Sequence, residues 1–173
     1  MNDREEENRL VRTLHLLFVD DDEEFLRAIS TRLTLRNIHV AAFGNGAEAL
    51  AAAGKDAFDV AVLDLKMPGM NGEDLLQRLK NGQPLLEVII LTGHGSIRSA
   101  VECTRTGAYD YLQKPCDFET LLHNIAGAFA KRLKSENAQD ASLVDGIVSQ
   151  FEDSGSLELI KELQKINRSY NRE

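Results

Sequence analysis

The chain has 173 residues, a formal charge of -8, 43% hydrophobic and 6% aromatic residues, and two cysteines: one domain of ordinary size, with room for an appendage and enough apolar material for a core. The acidic balance argues against a general nucleic-acid binder, which needs a basic face. No apolar run reaches the roughly 20 residues of a membrane helix, and the start, with Asp3, Glu5, Glu6 and Glu7, lacks the apolar core of a signal peptide.

The expectation is therefore a soluble, cytoplasmic protein with a flexible acidic tail over residues 1–11 and with Cys103 and Cys116 reduced. Strand-like apolar runs are predicted at Leu14–Val19, Ile38–Phe43, Phe58–Leu63, Leu85–Leu91 and Asp110–Leu112. Helical stripes fall between them. The first is Phe25, Leu26, Ile29 and Leu33, and the second is the Ala-rich stretch Ala47–Ala53. The third is Leu75, Leu76 and Leu79, and a weaker fourth is Ile97, Val101 and Thr104. The fifth and clearest is Phe118, Leu121, Leu122, Ile125 and Phe129. Asn81-Gly82 and Gly107 sit where helices would stop.

Five strands alternating with helices predict an α/β fold: a doubly wound (βα)5 unit with a parallel five-stranded sheet, followed by an α-helical extension. Strands two to four are nearly continuous in apolar residues, as expected when both faces of a sheet are covered. Right-handed crossovers favour the flavodoxin-like order 2-1-3-4-5. That order makes strands one and three neighbours and places a ligand beyond their carboxyl ends.

The chemistry-bearing residues sit at those ends. Asp20 and Asp21 follow strand one, Asp64 follows strand three, Thr92 strand four and Lys114 strand five. Three close carboxylates repel one another and resist ionisation, a difficulty that a divalent cation removes. A carboxylate can attack phosphorus to give an aspartyl phosphate, with a metal and a cation neutralising the transferring group. Asp64 suits the nucleophile, Lys114 the cation and Thr92 a hydroxyl donor. Asp22 fits the N-cap of the first helix. Pro68-Gly69 makes a tight loop that keeps backbone carbonyls near Asp64.

The segments FVDDDEEFL, VAVLDLKMPGMNGEDLL, VIILTGHGS and GAYDYLQKPCDFETLL resemble, in that order, the receiver domain of two-component response regulators (the CheY-like superfamily) over about residues 12–132. The resemblance implies that Asp64 is the phosphoacceptor, served by a sensor histidine kinase or a histidine phosphotransfer protein. It implies Mg²⁺, or Mn²⁺ in its place, held by Asp20, Asp21, Asp64 and the backbone carbonyl of Lys66. Lys114 would contact the phosphoryl group, and Thr92 with Tyr111 would form the switch pair. The Lys114-Pro115 bond is often cis in such domains. Such a protein is a bacterial phosphoprotein that catalyses its own phosphorylation and dephosphorylation, not a metabolic enzyme. Lys66 and His94, each two residues beyond a site residue, are expected to hinder in-line water and prolong the phosphorylated form.

Rival readings fit less well. A haloacid-dehalogenase-type phosphatase wants an acid where Lys66 stands, and a flavodoxin wants a hydroxyl-rich loop where Asp20-Asp21-Asp22 stands. No glycine-rich nucleotide motif occurs. Residues 133–173 read as two amphipathic helices after a polar stretch, Ser135–Ser142. Their stripes are Leu143, Val144, Ile147, Val148 and Phe151, then Leu159, Ile160, Leu163 and Ile166 with Tyr170 beyond. The segment holds no histidine and so is not a phosphotransfer domain. Its helices are open to three destinations: their own receiver, a second copy, or a partner. Output is expected through protein contact, or through a homodimer formed by the fourth helix, fifth strand and fifth helix or by the C-terminal helices. A phosphorelay shuttle and a DNA-binding transcriptional regulator are the alternatives.

Overall fold

The computed structural model describes residues 13–166. The tail over residues 1–11 and Tyr170 lie outside the described residues. Five strands form one parallel sheet: β1 (His15–Val19), β2 (His39–Phe43), β3 (Val60–Leu63), β4 (Glu87–Thr92) and β5 (Asp110–Gln113), in the order β2-β1-β3-β4-β5. Interleaved helices are α1 (Glu23–Thr34), α2 (Gly46–Ala53), α3 (Gly72–Gly82), α4 (Ile97–Thr106) and α5 (Phe118–Glu136). The expected order and crossover pattern are both present.

Strand alternation divides the core in two. Leu16, Phe18, Val60, Val62, Ile89 and Leu91 face one side, where Leu26 and Leu33 of α1 and Leu121, Ile125 and Phe129 of α5 cover them. Leu17, Val19, Ala61, Leu63, Val88 and Ile90 face the other, beneath Ala49 of α2, Leu75, Leu76 and Leu79 of α3, and Cys103 of α4. Strands β3 and β4 are buried along their whole length, which is why their sequences lack polar alternation.

Strands β1 and β2 begin one residue later than predicted, at His15 and His39, and two strand starts differ by two residues. Strand β4 begins at Glu87, not Leu85, because Pro84 has no N–H and the Leu86 N–H turns back to the Gln83 carbonyl (3.0 Å). Strand β3 begins at Val60, not Phe58, whose N–H is taken by the Gln83 side chain (3.0 Å). Helix α4 also departs from expectation. Ile97 is 87% exposed and Val101 44% exposed, while Cys103 is the buried residue. Three apolar residues carry too little area to set the rotation of a ten-residue helix whose ends are pinned by Ser96 and Gly107.

Residues 133–166 hold more regular structure than the polar stretch Ser135–Ser142 suggested. Helix α5 continues to Glu136 and buries Ala130, Arg132 and Leu133 beyond the expected stripe. Asn137 ends it, and its side chain accepts the Gln139 N–H (3.0 Å) in a single 3₁₀ turn, Ala138–Asp140. Helices α6 (Ala141–Gln150) and α7 (Ser156–Ile166) follow. Val144, Ile160 and Leu163, all fully buried, join the same apolar cluster as Phe129. Lys134 of α5 pairs with Asp145 of α6 at 2.8 Å. Of the three destinations open to the amphipathic helices, the structure takes their own receiver. No described helix is long and apolar enough to cross a membrane.

Candidate functional site

The hydrogen-bond ladder carries on past the strands and lines up the predicted residues at one edge of the sheet. The Asp20 N–H reaches the Phe43 carbonyl (3.1 Å), the Asp64 N–H the Val19 carbonyl (3.0 Å), and the Lys114 N–H the Thr92 carbonyl (2.9 Å). Asp20, Asp64, Thr92 and Lys114 therefore follow one another across β1, β3, β4 and β5. The Lys114-Pro115 peptide is cis.

Asp20, Asp64 and Thr92 are buried, whereas Asp21 is exposed, so the cluster opens to solvent on one side. Asp20, Asp21 and Asp64 each offer a carboxylate oxygen within 4.8 Å of the others. The Lys114 ammonium crosses the edge and donates to Asp20 Oδ2 at 2.6 Å. The Asp22 N–H donates to Asp20 Oδ1 at 2.9 Å, and the Leu65 N–H to Asp64 Oδ1 at 2.8 Å. Burial pushes the Asp20 carboxyl above the usual carboxylate range, and the Asp64 charge adds to this. The Lys114 hydrogen bond and charge and the Asp22 N–H pull it back. The balance leaves a site short of positive charge. Its donors are hard oxygens, the set that suits Mg²⁺. Asp20, Asp21 and Asp64 are the residues that would hold such a cation.

The switch candidates also have defined surroundings. Thr92 Oγ1 accepts the His94 N–H (3.1 Å). Tyr111 is half-buried, with its hydroxyl 2.8 Å from Ser99 Oγ on α4. Lys66 and His94 are exposed on the loops after β3 and β4. Asp22 accepts the Phe25 N–H at 3.0 Å and caps α1.

Three residues escaped the sequence reading. The Lys114 ammonium lies 4.3 Å from the Phe25 ring centroid, a cation–π contact that steers it across the site. Gly72 lets α3 start hard against the end of β3: a Cβ there would lie 2.1 Å from the Asp64 carbonyl oxygen. Gly95 does the same for Tyr111, whose hydroxyl would lie 2.4 Å from an added Cβ. Asn71-Gly72 after the Pro-Gly loop was a visible signal for the second; for the other two only proximity in space tells.

An open parallel α/β sheet with an acidic triad and a lysine at its carboxyl edge defines a class. Comparison with known proteins places the chain within it. Residues 16–126 match the response regulator receiver domain family model. The transcriptional regulatory protein GlrR of Escherichia coli (strain K12) is 37% identical over 136 residues, 79% of this chain and 30% of that protein. A receiver domain protein from Clostridium thermocellum superposes with a TM-score of 0.65 at 31% identity, covering 69% of this chain and 96% of that one. The BeF3-activated DrrB receiver domain does so with a TM-score of 0.62 at 30% identity, covering 67% and 97%. This chain belongs to the response regulator receiver domain family and spans under a third of the length of curated relatives such as GlrR.

Proposed function

We propose that this chain accepts a phosphoryl group on Asp64 and passes the resulting change of shape to another protein. The donor is a phosphohistidine of a sensor histidine kinase or of a histidine phosphotransfer protein, or a small phosphodonor. An Asp64 carboxylate oxygen forms the new bond to phosphorus as the bond to the leaving group breaks. Lys114 exchanges its contact with Asp20 for one with the transferred group, and the Thr92 hydroxyl turns from the His94 N–H toward it. Mg²⁺, held by Asp20, Asp21, Asp64 and the Lys66 carbonyl, supplies charge neutralisation when bound. The observation that carries the reading is the triad of carboxylates within 4.8 Å, with Lys114 reaching across to it.

The test is incubation with acetyl phosphate and Mg²⁺, resolved on a phosphate-affinity gel. Wild type should shift, and Asp64→Asn or chelation of the metal should abolish the shift. A shift that survives Asp64→Asn would overturn the assignment.

The exposed Lys66 and His94 flank the route of an attacking water. Dephosphorylation should accelerate in Lys66→Ala/His94→Ala, and an unchanged or slower rate sinks that role. For output we favour protein contact in the cytoplasm. The exposed Ile97 and Val101 on α4 support contact with a second copy or a partner through α4 and β5. We assign residues 12–132 to the receiver and 133–173 to a helical extension, with α6 and α7 a second place of contact. Native mass with and without beryllofluoride reads the dimer directly.

A further inference from the structure

We propose that Ser99 is a positioning residue for Tyr111, holding the switch aromatic in a socket on α4 that phosphorylation has to open. The inference rests on the receiver reading above and deepens it. Ser99 Oγ donates to the Ser96 carbonyl (3.0 Å) and accepts the Ser96 N–H (3.0 Å). The Ser96 Oγ also lies within hydrogen-bond reach of Ser99 Oγ, at 3.2 Å, so the Ser99 hydroxyl is the centre of a small polar network. Ser99 Oγ and the Tyr111 hydroxyl are hydrogen-bonded to one another at 2.8 Å, and either can donate. The Tyr111 hydroxyl and ring lie against Gly95, where any Cβ would meet the hydroxyl at 2.4 Å and the ring at 3.1 Å. Gly95 supplies the space and Ser99 the hydrogen-bond partner.

The socket has a second tie. Thr92 Oγ1 holds the His94 N–H at 3.1 Å, so residues 94–99 are gripped by Thr92 at one end and Tyr111 at the other. When Thr92 turns toward a phosphoryl group it gives up the His94 N–H. That frees the loop carrying Gly95, and with it the fit around Tyr111. The Tyr111–Ser99 bond stands against this movement. It biases the unphosphorylated chain toward the resting arrangement, in which Lys114 is on Asp20 and Thr92 on His94.

Ser96 separates this role from ordinary capping. Its Oγ accepts the Ser99 N–H (3.0 Å), caps α4 and lies 3.2 Å from Ser99 Oγ, whereas the hydrogen bond to the Tyr111 hydroxyl is made by Ser99. Both serines belong to the capping box, so Ser96→Ala breaks the box while keeping the Ser99 hydroxyl for Tyr111, whereas Ser99→Ala breaks the box and removes the Tyr111 partner as well.

The experiment has two arms. In the first, ring-carbon NMR of ¹³C-labelled tyrosine is recorded without phosphodonor, with the Tyr111 signal assigned by Tyr111→Phe among the three tyrosines of the chain. The Tyr111 signal should shift in Ser99→Ala, return in Ser99→Thr and stay in place in Ser96→Ala. In the second, acetyl phosphate labelling should run about 2- to 10-fold faster in Ser99→Ala, the worth of one neutral hydrogen bond. Tyr111→Phe should give the same acceleration, and the double variant no more than either alone. An unmoved Tyr111 signal in Ser99→Ala, or an equal acceleration in Ser96→Ala, would overturn the socket. Absence of labelling in wild type would overturn the receiver reading instead, while the first arm still decides the socket.

Discussion

At the scale of single residues, the site divides into what strand ends announce and what close approach imposes. Asp20, Asp64, Thr92 and Lys114 were readable because each follows an apolar run, and a parallel sheet delivers such residues to one edge. For Gly72 the sequence offered only a signal, its place after Asn71 and the Pro-Gly loop, since its reason is a backbone contact across two elements. A Cβ there would sit 2.1 Å from the Asp64 carbonyl oxygen and 2.7 Å from Leu65 Cα, both backbone atoms with little room to yield. Gly72→Ala should cost about 3 kcal/mol in urea denaturation, the upper end of overpacking penalties. Under the proposed function it should also slow labelling at Asp64, because the strain falls on Asp64 itself. An unaltered midpoint would show that α3 shifts freely.

Cys103 gives a prediction of another kind. Burial pushes its thiol up to about 11 from an ordinary 9.0, with the Glu73 and Glu102 charges adding to the effect. In the unfolded chain the thiol ionises earlier than in the folded one, so the folded state holds more protons between pH 9 and 11. Its contribution to stability is complete below pH 9 and is lost as pH rises through about 11. Cys103→Ala should flatten the alkaline fall in stability. Cys116, half-exposed, should react with iodoacetamide while Cys103 in the native protein does not.

At the scale of elements, boundaries follow capping chemistry more closely than apolar stripes. Asp22, Asn45, Asn71, Ser96 and Asp117 each accept a backbone N–H three residues on, and a helix starts after every one. Those caps are visible in sequence, whereas the rotation of α4 was not, because its buried side is short and its apolar side faces out. The cap at α5 is doubled: Asp117 accepts both the Thr120 N–H (2.8 Å) and the Thr120 hydroxyl (2.7 Å). These two bonds hold the Asp117 carboxyl below the usual range. A depressed acid adds stability above its unfolded value of 3.8 that is lost as pH falls through the lower folded value. Asp117→Asn keeps a capping oxygen but cannot titrate. It should match wild type at neutral pH and lose less than wild type below pH 3.8, whereas Asp117→Ala should be weaker at neutral pH too. Equal acid limbs for wild type and Asp117→Asn would refute the cap as the source.

At the scale of the whole molecule, the sheet order came through from sequence, but the place of the last two helices did not. Their stripes said that an apolar face needs a cover without saying which. The answer lies in α5, which carries a second apolar side in Ala130 and Leu133 beyond the stripe that meets the sheet. Helices α6 and α7 close over it, and Val144, Leu159, Ile160, Leu163 and Ile166 merge with Leu14, Ile125 and Phe129 into one cluster. At the foot of the sheet Arg132 of α5 lies 3.9 Å from the buried Asp59, whose other oxygen accepts the His15 N–H (2.9 Å). A core joined in this way should melt as one unit. Ile160 and Leu163 are fully buried, so Ile160→Ala or Leu163→Ala should each cost about 2–5 kcal/mol, a large share of a domain's stability. The loss should appear as a shift of a single transition, coincident by far-UV dichroism and by the fluorescence of Tyr109, which lies beside α5 and α7. The opposing outcome is equally clear: an early, separate phase that leaves the main transition where it was. That phase would mean the helices rest on the receiver without sharing its cooperativity, and contact with a partner could then lift them away at little cost to the sheet beneath.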